Sequence, residues 1–398
     1  MKMTIDLLVR LIYTAFYMAL TNMPLLIGLV ALVIGLIWPQ YYPLLLILSV
    51  LVGAYFIKRK PRKLIGAVEV PAHDAYLPGQ EVQWWYWTGH LFTKEGRRFG
   101  FEVVFFNFDN FFKNQLMQAA VTDVENQRFS YGGKLRFVPP KLIKDSFDLT
   151  SGKGGKITAV GGDGKDKLHA EVAGKKEGEE KDTRYILDID LESTKPVTMR
   201  YGENAHPYCF GGFTYYYSRT HMETKGTLTI DGEKHEVNGV TWFDRQYGEL
   251  QKANFRGWQW FAIELEDNRQ YMIFDFLGKD AEIEKAGGIT YADGTTRDLY
   301  GNDFNVTRLA EWVSPHTETK YPSKWEVEVD GMTLIVEPFV PDQELSGGNS
   351  EVWVGVYWEG ACSVTGDVKG QAYVELNGFK EPIRIRFFNK LKSIFGMK

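Results

Sequence analysis

The chain has 398 residues, a formal net charge of −5, and 24% charged and 15% aromatic side chains. That balance speaks against a nucleic-acid partner, because phosphate binding needs a basic face. The length allows two or more domains. A mean hydropathy of −0.26 averages two unlike parts: a charge-free, mostly apolar stretch from Leu11 to Ile57, and a remainder in which Lys, Asp and Glu are well mixed.

The apolar stretch comes first. Runs at 24–38 and 41–57 flank Pro39-Gln40. Each is short for a spanning helix; residues from Leu11 onward lengthen the first through a kink at Pro24, or else 1–20 forms a separate surface helix. The stretch is too long for a cleavable signal peptide, and no small-residue cleavage site follows it. The basic run 58–63 (KRKPRK) closes the second span, and Lys2 and Arg10 precede the first. The positive-inside rule places both ends in the cytoplasm. The expectation is a membrane anchor over 1–63, a transmembrane hairpin with helices near 12–38 and 41–57, and the rest of the chain cytoplasmic. At the other terminus, 381–398 is a basic amphipathic tail with Phe387, Phe388, Leu391, Ile394 and Phe395 at helical spacing. It reads either as an interfacial helix or as a helix docked on the protein's own core.

Between these ends, period-two alternation recurs with turn signals. Strand pairs are predicted at 81–91 and 98–108, at 225–230 and 234–242 around Asp231-Gly232, and at 258–265 and 270–277. Further pairs fall at 324–329 and 333–339 around Asp330-Gly331, and at 351–358 and 371–376. Long helical patterns are scarce, and residues 112–124 form the best internal helix candidate. The glycine-rich, charged segment 151–182 reads as exposed turns and edge strands. A faint repeat relates Trp85-Tyr86-Trp87 to Trp258-Gln259-Trp260, each opening a hairpin with an aromatic return strand. It predicts an all-β chain with two similar antiparallel domains, about 64–245 and 246–380. Cys209 and Cys362 are far apart, and so few thiols suit buried cysteines better than a disulfide framework.

Four segments carry a family resemblance: 83–91 (QWWYWTGHL) with Phe99-Gly100-Phe101, 215–219 (YYYSR), 239–248 (GVTWFDRQYG) and 357–361 (YWEGA). In this order they resemble the family containing carotenoid 1,2-hydratase and its AttH-like relatives. The resemblance implies two lipocalin-like β domains, barrels or sandwiches, from Val68 to about Phe379. It also implies chemistry on isoprenoid or polyene double bonds, with Asp244 matching the family's proposed catalytic acid.

Protonating an unactivated alkene requires a strong proton donor and a surface that stabilises the cation. A carboxylic acid kept neutral by burial serves as donor, and aromatic faces stabilise the cation. Asp244 is the candidate acid; Trp85, Trp87, Tyr215, Tyr217, Trp242, Trp258 and Trp260 are candidate substrate-binding walls. The alternatives are a structural Asp244 paired with Arg245, and aromatics that only pack the core. Glu102, Asp275 and Glu359 lie in apolar surroundings, but strand residues of this kind more often face solvent. His90 and His206 read as structural. No Gly-x-Ser-x-Gly elbow, zinc-helix motif or phosphate loop is present, so no metal and no nucleotide cofactor are expected. The sequence predicts an isoprenoid hydratase, isomerase or cyclase fed by membrane lipids. The competitor is a non-enzymatic carrier of a hydrophobic small molecule, using the same aromatic cleft.

Overall fold

The computed structural model describes residues 64–109, 113–150, 155–174, 179–208, 211–250, 255–278, 284–346 and 356–380. The expected membrane hairpin, the basic tail and Cys209 lie outside these residues. Among the described residues no helix is long and apolar enough to cross a membrane, and Cys362 is a buried free thiol.

The first sheet contains β1 (Val82–Thr93), β2 (Arg98–Phe108), β3 (Asn114–Asp123), β4 (Arg128–Arg136), β5 (Phe147–Asp148) and β6 (Ile157–Gly162). It continues with β7 (Lys165–Gly174), β8 (Thr183–Ser193), β9 (Thr198–Arg200), β10 (His206–Pro207), β11 (Gly212–Ile230) and β12 (Glu233–Leu250). The second contains β13 (Phe255–Leu265), β14 (Gln270–Gly278), β15 (Lys285–Thr290), β16 (Thr296–Tyr300) and β17 (Phe304–Val313). Its remaining strands are β18 (Lys320–Val329), β19 (Met332–Pro338), β20 (Glu344–Leu345), β21 (Tyr357–Gly366) and β22 (Gly370–Asn377). All strand pairings among the described residues are antiparallel. The orders β4-β3-β2-β1-β12-β11-β8-β7-β6-β5 and β16-β15-β14-β13-β22-β21-β19-β18-β17 place matching strands in matching positions. Thus β1 and β13, each the first long strand of its sheet, pair with the last, β12 and β22. The first sheet runs to Leu250, and residues 251–254 between the sheets are outside the description.

Each sheet curls into a half-barrel around its own apolar core. In the first, the Tyr185 hydroxyl on β8 donates to Asp123 at the end of β3 at 3.1 Å, joining strands far apart in the sheet order. The hairpins at Asp231-Gly232 and Asp330-Gly331 form as the sequence indicates. Both residues of each turn have positive φ, the geometry whose twist matches the flanking strands.

Two expectations change. Residues 114–123 are strand β3, not helix, and all ten are buried. A strand covered on both faces loses the alternation that marks it. Segment 151–182 is not merely exposed: Ile157, Ala159, Leu168, Ala170 and Val172 of β6 and β7 enter the first core. Of the strand predicted at 351–358, residues 351–355 lie outside the described residues, and β21 runs from Tyr357 to Gly366.

A third apolar cluster lies between the sheets, built from Tyr86, Val104, Tyr216 and Trp242 on one side and Trp260, Met272, Phe274 and Phe276 on the other. Strand geometry puts successive side chains on opposite faces, so β1 sends Trp85 and Trp87 into its own half-barrel and Tyr86 toward the second sheet. A bulge between Arg219 and Met222 reverses this parity along β11. Tyr215 and Tyr217 therefore point into the first core before the bulge, and Met222 after it. Polar contacts pin the sheets together: Thr122 donates to Gln343 at 2.6 Å, and the Trp260 indole donates to Tyr216 at 3.2 Å. At Gly100 a Cβ would stand 2.4 Å from Ala361 Cβ, so glycine there lets the sheets touch.

Candidate active site

The cleft between the sheets encloses a cavity of about 100 Å³. Eleven of its lining side chains are aromatic, among them Trp84, Tyr86, Tyr216, Trp258 and Trp260, and no Lys or Arg lines it among the described residues. Its polar members include Asp244, Glu359 and Glu375. Trp84, Phe106, Phe108, Leu250 and Trp258 are partly exposed and form its mouth.

Asp244 sits on β12 opposite Tyr86 of β1 and Ser218 of β11. It is buried and accepts three hydrogen bonds: from Ser218 at 2.6 Å and Trp242 Nε1 at 2.8 Å on Oδ1, and from Tyr216 at 2.6 Å on Oδ2. Burial raises its pKa to about 6 against the pull of these donors and of Arg200. Three donors suit an ionised acceptor, so Asp244 is mainly a carboxylate at pH 7. The neighbour expected to matter, Arg245, does not contact it. Arg245 points the other way, donating to Gln83 at 2.9 Å and Ala75 O at 2.8 Å and stacking on Trp85 at 3.9 Å. The cation that acts on Asp244 is Arg200 of β9. It donates to Ser218 at 3.1 Å and lies 5.4 Å from the Trp242 ring.

The second sheet supplies the other acids. Glu375 on β22 lies opposite Trp260 of β13, as Asp244 lies opposite Tyr86 of β1. The two carboxyl groups thus reach the cleft from the last long strand of their respective sheets. Glu359 on β21 lies opposite Glu375 and accepts from the Tyr86 hydroxyl across the cleft. Burial raises Glu359 well above the carboxylate range, with Glu375 adding to the effect. Glu375 is raised to about 8, mostly by desolvation, with the Asp244 charge also contributing. Glu102 on β2 is 0% exposed, has no hydrogen-bond partner on either oxygen, and is pushed to about 8 by burial and the Glu375 charge. The expectation that Glu102, Asp275 and Glu359 face solvent is overturned. With a sheet stacked on each face, no strand surface there is left to water.

A carboxyl whose folded pKa is raised favours folding below its unfolded pKa and loses that contribution as pH rises through the folded value. Glu102 thus makes the fold less stable between about pH 4.5 and pH 8, on the order of 5 kcal/mol over that window. Glu102→Gln is expected to flatten the fall in melting temperature from pH 5 to pH 9 and to be the more stable form at pH 9. Thermal melts across pH check this.

The remaining candidates divide cleanly. Trp242, Trp258 and Trp260 join Asp244 at the cleft. Trp85 and Trp87 on β1 and Tyr215 and Tyr217 on β11 point away from the cleft and pack in the first core. Asp275 faces the second core and accepts from Gln259 at 2.9 Å. His90 is buried, with Nε2 3.0 Å from Ala372 O, and burial holds it near pKa 3. It is neutral and joins the sheets. His206 stacks on Tyr201 at 4.4 Å and approaches Glu284 at 3.3 Å. Sequence reasoning missed Trp84, Tyr86, Tyr216, Ser218, Arg200 and Glu375. The signal for several of them was parity: residues of the Asp244 face lie across from it in the hairpin register.

The comparisons with known proteins agree with this architecture. A crystal structure of a candidate AttH protein of Nitrosomonas europaea superposes with a TM-score of 0.69 at 25% identity, covering 81% of this chain and 100% of that one. Kievitone hydratase of Nectria haematococca superposes at 0.62 with 18% identity, covering 80% and 95%. No functionally curated protein matches the chain. The AttH-like family model matches residues 61–379, most of the chain, and the protein therefore belongs to the AttH-like family.

Proposed function

We infer that the protein is a hydratase-like enzyme that adds a proton and then water to a carbon–carbon double bond of an apolar isoprenoid or polyene. The carrying observation is that one aromatic cleft holds carboxyl groups in two unlike states. Asp244, with three donors, is ionised at neutral pH, whereas burial keeps Glu359 and Glu375 protonated. Titratable groups whose environments push their pKa values apart mark an acid and a base. The resemblance to carotenoid hydratases points to Asp244 as the acid. The hydrogen bonds favour Asp244 as the base and the glutamate pair as the acid.

In this scheme a glutamic acid of the pair gives its proton to one alkene carbon, the π electrons forming the new C–H bond. The resulting tertiary cation lies among Trp84, Tyr86, Trp258 and Trp260. Water attacks it, and Asp244 takes the proton released as the C–O bond forms. Solvent returns that proton to the glutamates, so the net change is addition of one water. Isomerisation or cyclisation follows if a carbon-bound proton or a second double bond meets the cation first. That kievitone hydratase shares the fold supports a scaffold compatible with hydration.

A membrane source for the substrate fits the apolar N-terminal sequence. Exposed apolar side chains also gather at the mouth end of the first sheet. Phe137 and Val138, 59% and 56% exposed, follow Arg136 in the row of Gln115, Asn107 and Gln83.

The test is incubation of the full chain with membrane lipid extract in D₂O, followed by mass spectrometry. Deuterium on carbon with a gain of one water supports hydration. A bound lipid recovered unlabelled supports the carrier. The rate is expected to follow a bell-shaped pH profile, falling below about pH 6 as Asp244 protonates and above about pH 8 as the glutamates ionise.

A further inference from the structure

The cleft combines features that a receptor for neutral lipid does not need. A neutral chain is bound by apolar walls alone, with few polar groups. Here the aromatic walls present ring faces and edges at several angles. Tyr86 and Trp260 are edge-to-face at 5.4 Å, and Trp242 and Trp260 at 6.2 Å. Ring faces attract cations, the more strongly when water is excluded. Carboxyl groups from both sheets, Asp244, Glu359 and Glu375, converge on the same space, while no Lys or Arg lines it among the described residues. Behind the wall, Glu102 is wholly buried with both oxygens unpartnered. Burial keeps the glutamic acids neutral while no cation lines the cavity, and a bound positive charge would let them ionise as its counter-ions.

We propose that the cleft is a receptor for a lipophilic cation, a quaternary or tertiary ammonium centre carried on an apolar chain, with the charge held between Asp244, Glu359 and the rings of Tyr86 and Trp260. This deepens the hydration reading, because an ammonium centre carries the same charge as the cation formed there. It also stands as a binding site in its own right.

The protonation states add a signature. Cation binding favours the ionised glutamates, so it releases protons and strengthens as pH rises. The ionisable groups around this space are Tyr86 on β1, Glu102 on β2, Tyr216 on β11 and Asp244 on β12. Glu359 and Tyr357 on β21, Glu375 and Tyr373 on β22, and Tyr208 after β10 complete the set, with Arg200 on β9 behind Ser218. The tyrosines that shift, Tyr216, Tyr357 and Tyr373, shift upward and stay neutral. The glutamates and Asp244 carry the pH dependence.

The experiment titrates the full-length protein with octyltrimethylammonium, 1-octanol and octyl sulfate below their micelle concentrations, following tryptophan fluorescence and calorimetry. The ammonium is expected to bind at least about tenfold tighter than the alcohol, a ratio that matches the cation–ring attraction, and the sulfate not measurably. Its affinity should rise between pH 6 and pH 9, and calorimetry in buffers of different ionisation enthalpy should show proton release. Asp244→Asn should weaken the ammonium about tenfold and leave octanol unchanged. If that variant does not fold, the pH series on the unaltered protein decides. Equal affinity for ammonium and alcohol across the pH range would sink the proposal. Ammonium binding without deuterium incorporation leaves the receptor standing and removes the hydration reading; incorporation without ammonium preference does the reverse.

Discussion

Asn in place of Asp244 is expected to slow deuterium and water addition about a thousandfold while leaving the protein folded. The size follows from general acid–base catalysis, which contributes about 10² to 10⁴. The geometry says why the fold should survive. The amide oxygen keeps the hydrogen bonds from Ser218 and Trp242 on the Oδ1 side. The new NH₂ meets the Tyr216 hydroxyl, which turns from donor to acceptor. What the variant lacks is a site that takes a proton from water. Glu359→Gln is expected to slow the reaction comparably, but through a different limb. It keeps a donor-acceptor group beside Tyr86 and removes the acid that gives the proton. The alkaline fall in rate should then shift or vanish, while the acidic fall, set by Asp244, remains. An Asp244→Asn rate within tenfold of the original, measured in D₂O at pH 7 on protein with unchanged melting behaviour, would remove Asp244 from the mechanism.

The way these residues escaped sequence reasoning is physical. Asp244 was legible only through the family resemblance that the Trp-Phe-Asp segment carries, and the two Asp-Gly hairpins because their turn chemistry is local. The face of each strand was not. The repeat was aligned as Trp85-Tyr86-Trp87 against Trp258-Gln259-Trp260. In the structure Tyr86 faces the cleft as Trp258 and Trp260 do, while Trp85 and Trp87 face the first core. A slip of one residue sends every side chain to the opposite face. That slip selected Trp85 and Trp87, which pack in the first core, over Trp84 and Tyr86, which line the cleft. The bulge between Arg219 and Met222 adds a second parity change that no local pattern announces. Alternation alone sends Glu102, Asp275 and Glu359 to solvent because an isolated sheet has one wet face. Sheet-on-sheet burial is a tertiary fact, and so is the approach of Arg200 to Ser218 from another part of the chain. The all-β character survived these errors, because alternation between turns records strands whichever face is buried.

The largest stability effect is expected away from the cleft, at Asp74. This residue ends the short 3-10 turn Ala72–Asp74 and is 0% exposed inside the first half-barrel. It receives Arg219 through two nitrogens at 3.0 and 2.7 Å, the Tyr217 hydroxyl, and the Asp163 amide at 2.7 Å. Arg219 is itself almost wholly buried. Removing one partner of a buried pair leaves the other charge without compensation, a loss of about 3–5 kcal/mol. Asp74→Ala should therefore lower the urea midpoint sharply. Asp74→Leu combined with Arg219→Met should recover most of the loss, since an apolar pair of similar volume leaves no charge stranded. A single variant costing less than about 1 kcal/mol, the range of exposed pairs, would show that water reaches Arg219. The position also reaches the chemistry. Arg219 adjoins Ser218 on β11, and the two side chains leave opposite faces of that strand, one clamped by Asp74 and the other donating to Asp244. Loosening the clamp frees the strand that holds Ser218 and Tyr216 against the carboxylate. Asp74→Ala should accordingly weaken the Asp244 hydrogen bonds and move the acidic limb of the pH profile upward even at temperatures where the protein remains folded, whereas the paired apolar variant should leave that limb in place.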